Sequence, residues 1–127
     1  MAYLMAKLGV RFDTISPAGF HILSVLDQLA SMPGAANLVI TSGTDGEHSG
    51  LADPHKLGSA YDIRSQSFPG PDSKVVFIKQ VIGLLGNAPP IEESGGWAGG
   101  KFWGWLEDAD TTNEHFHVQL RKGETYP

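Results

Sequence analysis

His55 and Asp62 stand seven residues apart in His55-Lys56-Leu57-Gly58-Ser59-Ala60-Tyr61-Asp62, and Glu114 and His117 stand three apart in Glu114-His115-Phe116-His117. Imidazoles and a carboxylate suit a catalytic zinc site, in which three protein donors leave a fourth position open for water. A further carboxylate nearby can take that water's proton. The pattern therefore points to a metal-dependent hydrolase. Four of the five histidines fall in two short segments, 48–55 and 115–117. The fifth, His21, lies inside a helical stripe and reads as an ordinary surface or core residue.

These side chains need a scaffold that fixes them, and the chain supplies its elements in mixed order. Ser16-Pro17 reads as an N-cap followed by Pro at the first helical position. Phe20, Ile22, Leu23, Val25, Leu26, Leu29 and Ala30 then form a helical stripe that ends near Pro33-Gly34. Leu38 to Thr41 is short and β-branched, as in a buried strand. It opens into a polar loop, Ser42 to Lys56. Ala60 to Arg64 reads as a second strand, with Ala60, Asp62 and Arg64 on one face and Tyr61 and Ile63 on the other. A second helix is expected from about Asp72 to Leu85, with Gly86 as its C′ residue. The stretch from Asn87 to Gly100 is turn-rich. Lys101 to Leu106 and His115 to Leu120 read as two further strands, close enough in sequence to pair antiparallel. The expected fold is α+β, a small, mostly antiparallel sheet of about four strands with two main helices packed on it.

On an extended His115-Phe116-His117 the two imidazoles share a face and Phe116 points into the core. Glu114 then needs a turn or bulge to reach the histidine side.

Composition bounds the rest. The 127 residues make one domain, 1–127, with an apolar fraction of 41% and three Trp. Net charge is −5, and no basic run exceeds Arg121-Lys122, so no nucleic-acid partner is expected. There is no cysteine, which excludes a disulfide framework, a thiolate zinc site and a Cys nucleophile. The first seven residues are too weakly apolar for a signal peptide, and no apolar run approaches the ~20 residues of a membrane span. The expectation is a monomer without a membrane partner, made in the cytoplasm.

The run Ile40-Thr41-Ser42-Gly43, then His55-x-x-Gly58-x-Ala60-x-Asp62, then an acid three residues before His117, resembles the M15 family of zinc peptidases. These are D-Ala-D-Ala carboxypeptidases and dipeptidases and phage L-alanyl-D-glutamate endolysins, in a wider fold group with lysostaphin and the Hedgehog signalling domain. The resemblance spans about Leu38 to Leu120. It implies zinc as cofactor, with His55, Asp62 and His117 as ligands and Glu114 as general base. It also implies His115 as a group that stabilises the oxyanion. The implied substrate is the stem peptide of bacterial peptidoglycan, reached after release from the cell or as part of a virion.

One departure stands out. Members of this family carry an Arg shortly after the Ser-Gly of the first strand, whereas here Ser42-Gly43 is followed by Thr44-Asp45-Gly46-Glu47-His48. Arg64, on the face of Asp62, is the candidate substitute. Asp45 and His48 are candidates for orienting a ligand or binding the peptide, and Trp103 for a wall of the substrate cleft. The missing Arg also motivates an alternative, a non-catalytic, metal-stabilised binding or structural module of the same fold.

Overall fold

The computed structural model describes residues 2–45 and 53–126. Seven strands form one mixed sheet, and two helices pack against one of its faces. The α+β layering is as expected, but the sheet is larger than the four strands read from the sequence.

The chain opens with β1 (Leu4–Ala6), α1 (Pro17–Ala30) and β2 (Leu38–Ser42). β1 pairs parallel to β2, with Leu4 opposite Leu38 and Ala6 opposite Ile40. A helix between two parallel strands is the usual crossover, because a tight turn cannot return the chain in the same direction. β3 (Ala60–Arg64) follows, then α2 (Gly70–Gly86), β4 (Ile91–Glu93), β5 (Gly96–Gly99), β6 (Phe102–Glu107) and β7 (His115–Leu120). The sheet order is β1-β2-β3-β7-β6-β5-β4, and every pairing except β1–β2 is antiparallel.

Three strands escaped the sequence pattern, each for a physical reason. β1 and β4 have three residues each, too few for a period of two to register. β5 lies inside the turn-rich stretch and carries Gly96 and Gly99. Its turn to β4 is two residues, Ser94 and Gly95, both at positive φ (52° and 78°), the geometry of a tight hairpin. The glycines serve packing as well as turning. A Cβ on Gly99 would come 2.8 Å from Ile82 Cγ2, and one on Gly86 would come 2.4 Å from the Gly99 carbonyl carbon. Gly86 is therefore the last helical residue, pressed against β5, and Asn87 takes the left-handed C-terminal position at φ 52°. That corrects the expectation of Gly86 as C′.

Alternation along β3 and β7 separates two faces. Tyr61, Ile63, Phe116 and Val118 are fully buried beneath the helices, with Ile22 and Leu26 of α1 and Ile78, Val81 and Ile82 of α2. Each such side chain contributes about 1.5–3 kcal/mol by leaving water. Phe77 and Phe116 meet at 4.8 Å between ring centroids, and Phe68 joins them at 4.7 and 5.2 Å. The opposite face carries Asp62, Arg64, His115 and His117, all half-buried. Among the described residues, no helix is long and apolar enough to cross a membrane.

Candidate metal centre and proton-transfer pair

β3 and β7 lie side by side with Asp62 opposite His117 and Arg64 opposite His115. That register places a carboxylate directly across from an imidazole on the open face. His117 Nδ1 is 3.0 Å from Asp62 Oδ1. The second imidazole comes from outside the sheet. His55 is buried, and its Nε2 is 3.3 Å from the same Oδ1.

His55 is held by a tight turn. Asp53 Oδ1 accepts its backbone N–H at 2.9 Å, and the Gly58 N–H donates to its carbonyl at 3.0 Å. Gly58 closes the turn at φ 71°, where a Cβ would come 2.1 Å from Thr14 O. Only glycine meets both demands. The turn is tied to the start of α1, because Ser16 donates through both its N–H and Oγ to Gly58 O, at 3.2 and 3.0 Å. Ser16 Oγ also caps α1 by accepting from Gly19 N.

In both histidines the ring nitrogen turned away from Asp62 has a protein acceptor. His55 Nδ1–H donates to Gly43 O at 2.9 Å. His117 Nε2–H donates to Gln119 Oε1 at 2.8 Å, and Gln119 is oriented by its own amide donating to Leu120 O. With those protons placed, the lone pairs of His55 Nε2 and His117 Nδ1 converge on Asp62. This is how metal-ligating histidines are fixed in tautomer and orientation. The three donor atoms lie within 4.8 Å of one another, and the donor chemistry fits zinc.

The electrostatics of these groups are strongly coupled. Burial works to raise the Asp62 carboxyl, but hydrogen bonds from His117 and His55 and the nearby imidazoles outweigh it and hold it well below the usual carboxylate range. Burial works to lower His117, but its hydrogen bonds to Asp62 and Gln119 prevail and push it up. A metal ion bound here would have to compete with a proton for His117 Nδ1.

A second constellation adjoins the first. His115 Nδ1–H donates to Asn113 O at 2.7 Å, which turns Nε2 toward Glu107 Oε1 at 3.0 Å and Asp62 Oδ2 at 3.6 Å. Glu107 is the last residue of β6, paired opposite His115. Asp62, Glu107 and His115 also lie within 4.8 Å of one another.

Glu114 does not join this group. It keeps the parity of Phe116 and points to the helix side of the sheet. There Oε1 accepts from Ser65 Oγ at 2.7 Å and pairs with Lys74 Nζ of α2 at 2.5 Å, while Oε2 accepts from Asp110 N at 2.9 Å. The Lys74 bond leads these donors in holding its carboxyl at about 2. The turn or bulge that would carry Glu114 to the histidine face is absent from β7, which pairs in unbroken register on both sides.

The other candidates are placed as follows. Arg64 shares the face of Asp62. Asp45 Oδ1 accepts from Gly43 N at 2.8 Å and Arg11 N at 3.0 Å, so it braces the turn whose carbonyl orients His55. Trp103 lies on the open face with its ring centroid 5.6 Å from Trp105 and 6.4 Å from His117. His48 lies outside the described residues. Sequence reasoning missed Gln119 and Glu107. Gln119 is two residues beyond His117 and was within reach of the alternation rule. Glu107 shares the parity of Trp103 and Trp105, but its meeting with His115 depends on the length and shape of the intervening turn, in which Asp108 and Asp110 take positive φ.

No family model, curated protein or solved structure matches this chain.

Proposed function

We propose that this chain is a zinc-dependent peptidase that hydrolyses a peptide bond in the stem peptide of bacterial peptidoglycan, in the manner of a phage or prophage endolysin. The observation that carries the reading is the donor set of His55, Asp62 and His117, in which Gly43 O and Gln119 Oε1 fix the two imidazoles with their lone pairs toward one carboxylate oxygen. The choice of substrate rests on the resemblance of His55-x-x-Gly58-x-Ala60-x-Asp62 and the later His117 to the M15 peptidases.

Zinc held by these three residues supplies Lewis-acid polarisation of the scissile carbonyl and a lowered pKa for water at that point. The chain's own residues handle the protons. Glu107 takes the role first assigned to Glu114, because its carboxylate is the one beside Asp62 on the open face. It accepts a proton from the attacking water and returns it to the leaving amine. His115, steadied through Nδ1 by Asn113 O, turns Nε2 toward the same space, where its doubly protonated form would donate to the developing oxyanion. Trp103 and Trp105 form an apolar shelf along β6 beside His117.

The test is digestion of purified muropeptides followed by mass spectrometry of the fragments. Cleavage that disappears on chelation and in His117→Ala is expected. A protein that binds zinc tightly yet leaves every muropeptide intact would instead be the metal-stabilised, non-catalytic module.

A further inference from the structure

Asp62 presents its two carboxylate oxygens to different neighbours. Oδ1 meets His55 Nε2 at 3.3 Å and His117 Nδ1 at 3.0 Å, whereas Oδ2 faces His115 Nε2 at 3.6 Å. On that second side stands Glu107, whose Oε1 is 3.0 Å from the same Nε2. Strand register builds the group. Glu107 of β6 pairs opposite His115 of β7, and His115 pairs opposite Arg64 of β3, two residues from Asp62 on the same face. One ligand atom each from Asp62, Glu107 and His115 falls within 4.8 Å of the others.

His115 is held as a metal-ligating histidine is held. Its Nδ1–H donates to Asn113 O at 2.7 Å, which leaves the Nε2 lone pair aimed between the two carboxylates. In that tautomer all three converging atoms are acceptors. They repel one another, and a cation among them relieves the repulsion. One imidazole with two carboxylates is a zinc-type donor set with room left for water. The imidazole turns the preference away from magnesium and calcium, which favour oxygen ligands.

We infer that Asp62, Glu107 and His115 form a second, weaker zinc site, joined to the first through Asp62, and that filling it stops hydrolysis. The site stands on geometry alone, and its effect on hydrolysis rests on the peptidase reading above. Two features make it the weaker site. A second ion feels the charge of the first across a single carboxylate. Its own donors are also less enclosed, because the side chains of His115 and Glu107 are 21% and 35% exposed, against 6% and 12% for His55 and His117. At low zinc only the His55–Asp62–His117 site fills, and Glu107 is free to act as the base. In excess zinc the second ion takes the Glu107 carboxylate and His115 Nε2, the two groups that serve the proton and the oxyanion. The metal that activates the centre then also switches it off.

The experiment has a binding arm and a cleavage arm. In the first, zinc bound per chain is measured by equilibrium dialysis from trace to large excess of free zinc. Wild type is expected to take up one ion and then, at higher free zinc, a second. Crystals grown in excess zinc should show a second anomalous peak between Asp62 Oδ2, Glu107 and His115. Glu107→Gln and His115→Ala should each keep the first step, which shows the His55 site intact, and lose the second. A single step across the whole range, or a second step that persists in both variants, overturns the site. In the second arm, muropeptide hydrolysis is followed over the same range. It should fall about 10²- to 10⁴-fold as the second ion binds, the span that general acid–base help supplies. The residual hydrolysis by Glu107→Gln should fall no further. Hydrolysis that holds steady while the second ion binds overturns the inhibition. If no muropeptide is cleaved at any zinc concentration, the peptidase reading fails, and the dialysis still decides the site.

Discussion

Glu107 Oε1 lies 3.0 Å from His115 Nε2, across the last antiparallel pair of β6 and β7. This contact puts a carboxylate–imidazole pair against Asp62. It also separates two glutamates that the sequence does not distinguish, since Glu107 faces the donor set and Glu114 faces α2.

The two glutamates should therefore fail differently. Glu107→Gln is expected to lower kcat by about 10²- to 10⁴-fold, the span of general acid–base catalysis, with an unchanged melting temperature. Glu114→Ala strands the Lys74 ammonium in a largely buried setting and should cost roughly 3–5 kcal/mol of stability. Parallel thermal melts and muropeptide assays check both. Loss of kcat in a stably folded Glu114→Gln protein, with Glu107→Gln fully active, would restore Glu114 as the base.

Glu114 also sets an acid limit. Its carboxyl is held at about 2 against an ordinary 4.5. A depressed folded-state pKa contributes stability that is fully present above the unfolded value and is lost as pH falls toward the folded one. Urea midpoints should accordingly fall between about pH 4.5 and 2 more steeply in wild type than in Glu114→Gln. Equal slopes would mean that the Lys74 pairing does not persist in solution.

Metal binding should strengthen with pH. His117 is raised above its ordinary 6.5, so its proton supports the metal-free fold at low pH and that support fades as pH rises through the shifted value. The same proton competes with a metal ion for Nδ1. The gain in melting temperature on adding zinc should thus be larger at pH 8 than at pH 6. His117→Ala should abolish it.

Gln119 tests the fit of the donor set separately from catalysis. Gln119→Leu removes the acceptor that fixes the His117 tautomer, and zinc affinity should drop about 10- to 100-fold. Isothermal titration of the metal-free protein measures it. The same titration should give one tightly bound zinc per chain, unchanged in Glu107→Gln; two per chain in the wild type, falling to one in that variant, would assign the Asp62–Glu107–His115 group to a second ion of equal affinity.

Gly58 links the fold to the site. Gly58→Ala combines a disfavoured φ with a clash on Thr14 O, and is expected to cost about 1–3 kcal/mol or more and to weaken zinc binding by shifting the His55 turn. A stable variant with full zinc affinity would show that this turn is not what fixes His55.

The sequence by itself determined what local periodicity and residue chemistry can determine. Ser16-Pro17 marked the start of α1, and alternation assigned the two faces of β3 and β7, but the reading of Glu114 as the base needed a turn or bulge that β7 does not have. It could not find β1, β4 and β5, whose few residues and close-packed glycines carry no hydrophobic period. Nor could it pair Glu107 with His115 or place Gly43 O behind His55. Those contacts depend on strand register and on how a turn at Gly58 docks against α1. Register and docking are set by backbone pairing and packing between segments far apart in the chain, and only the tertiary structure decides them.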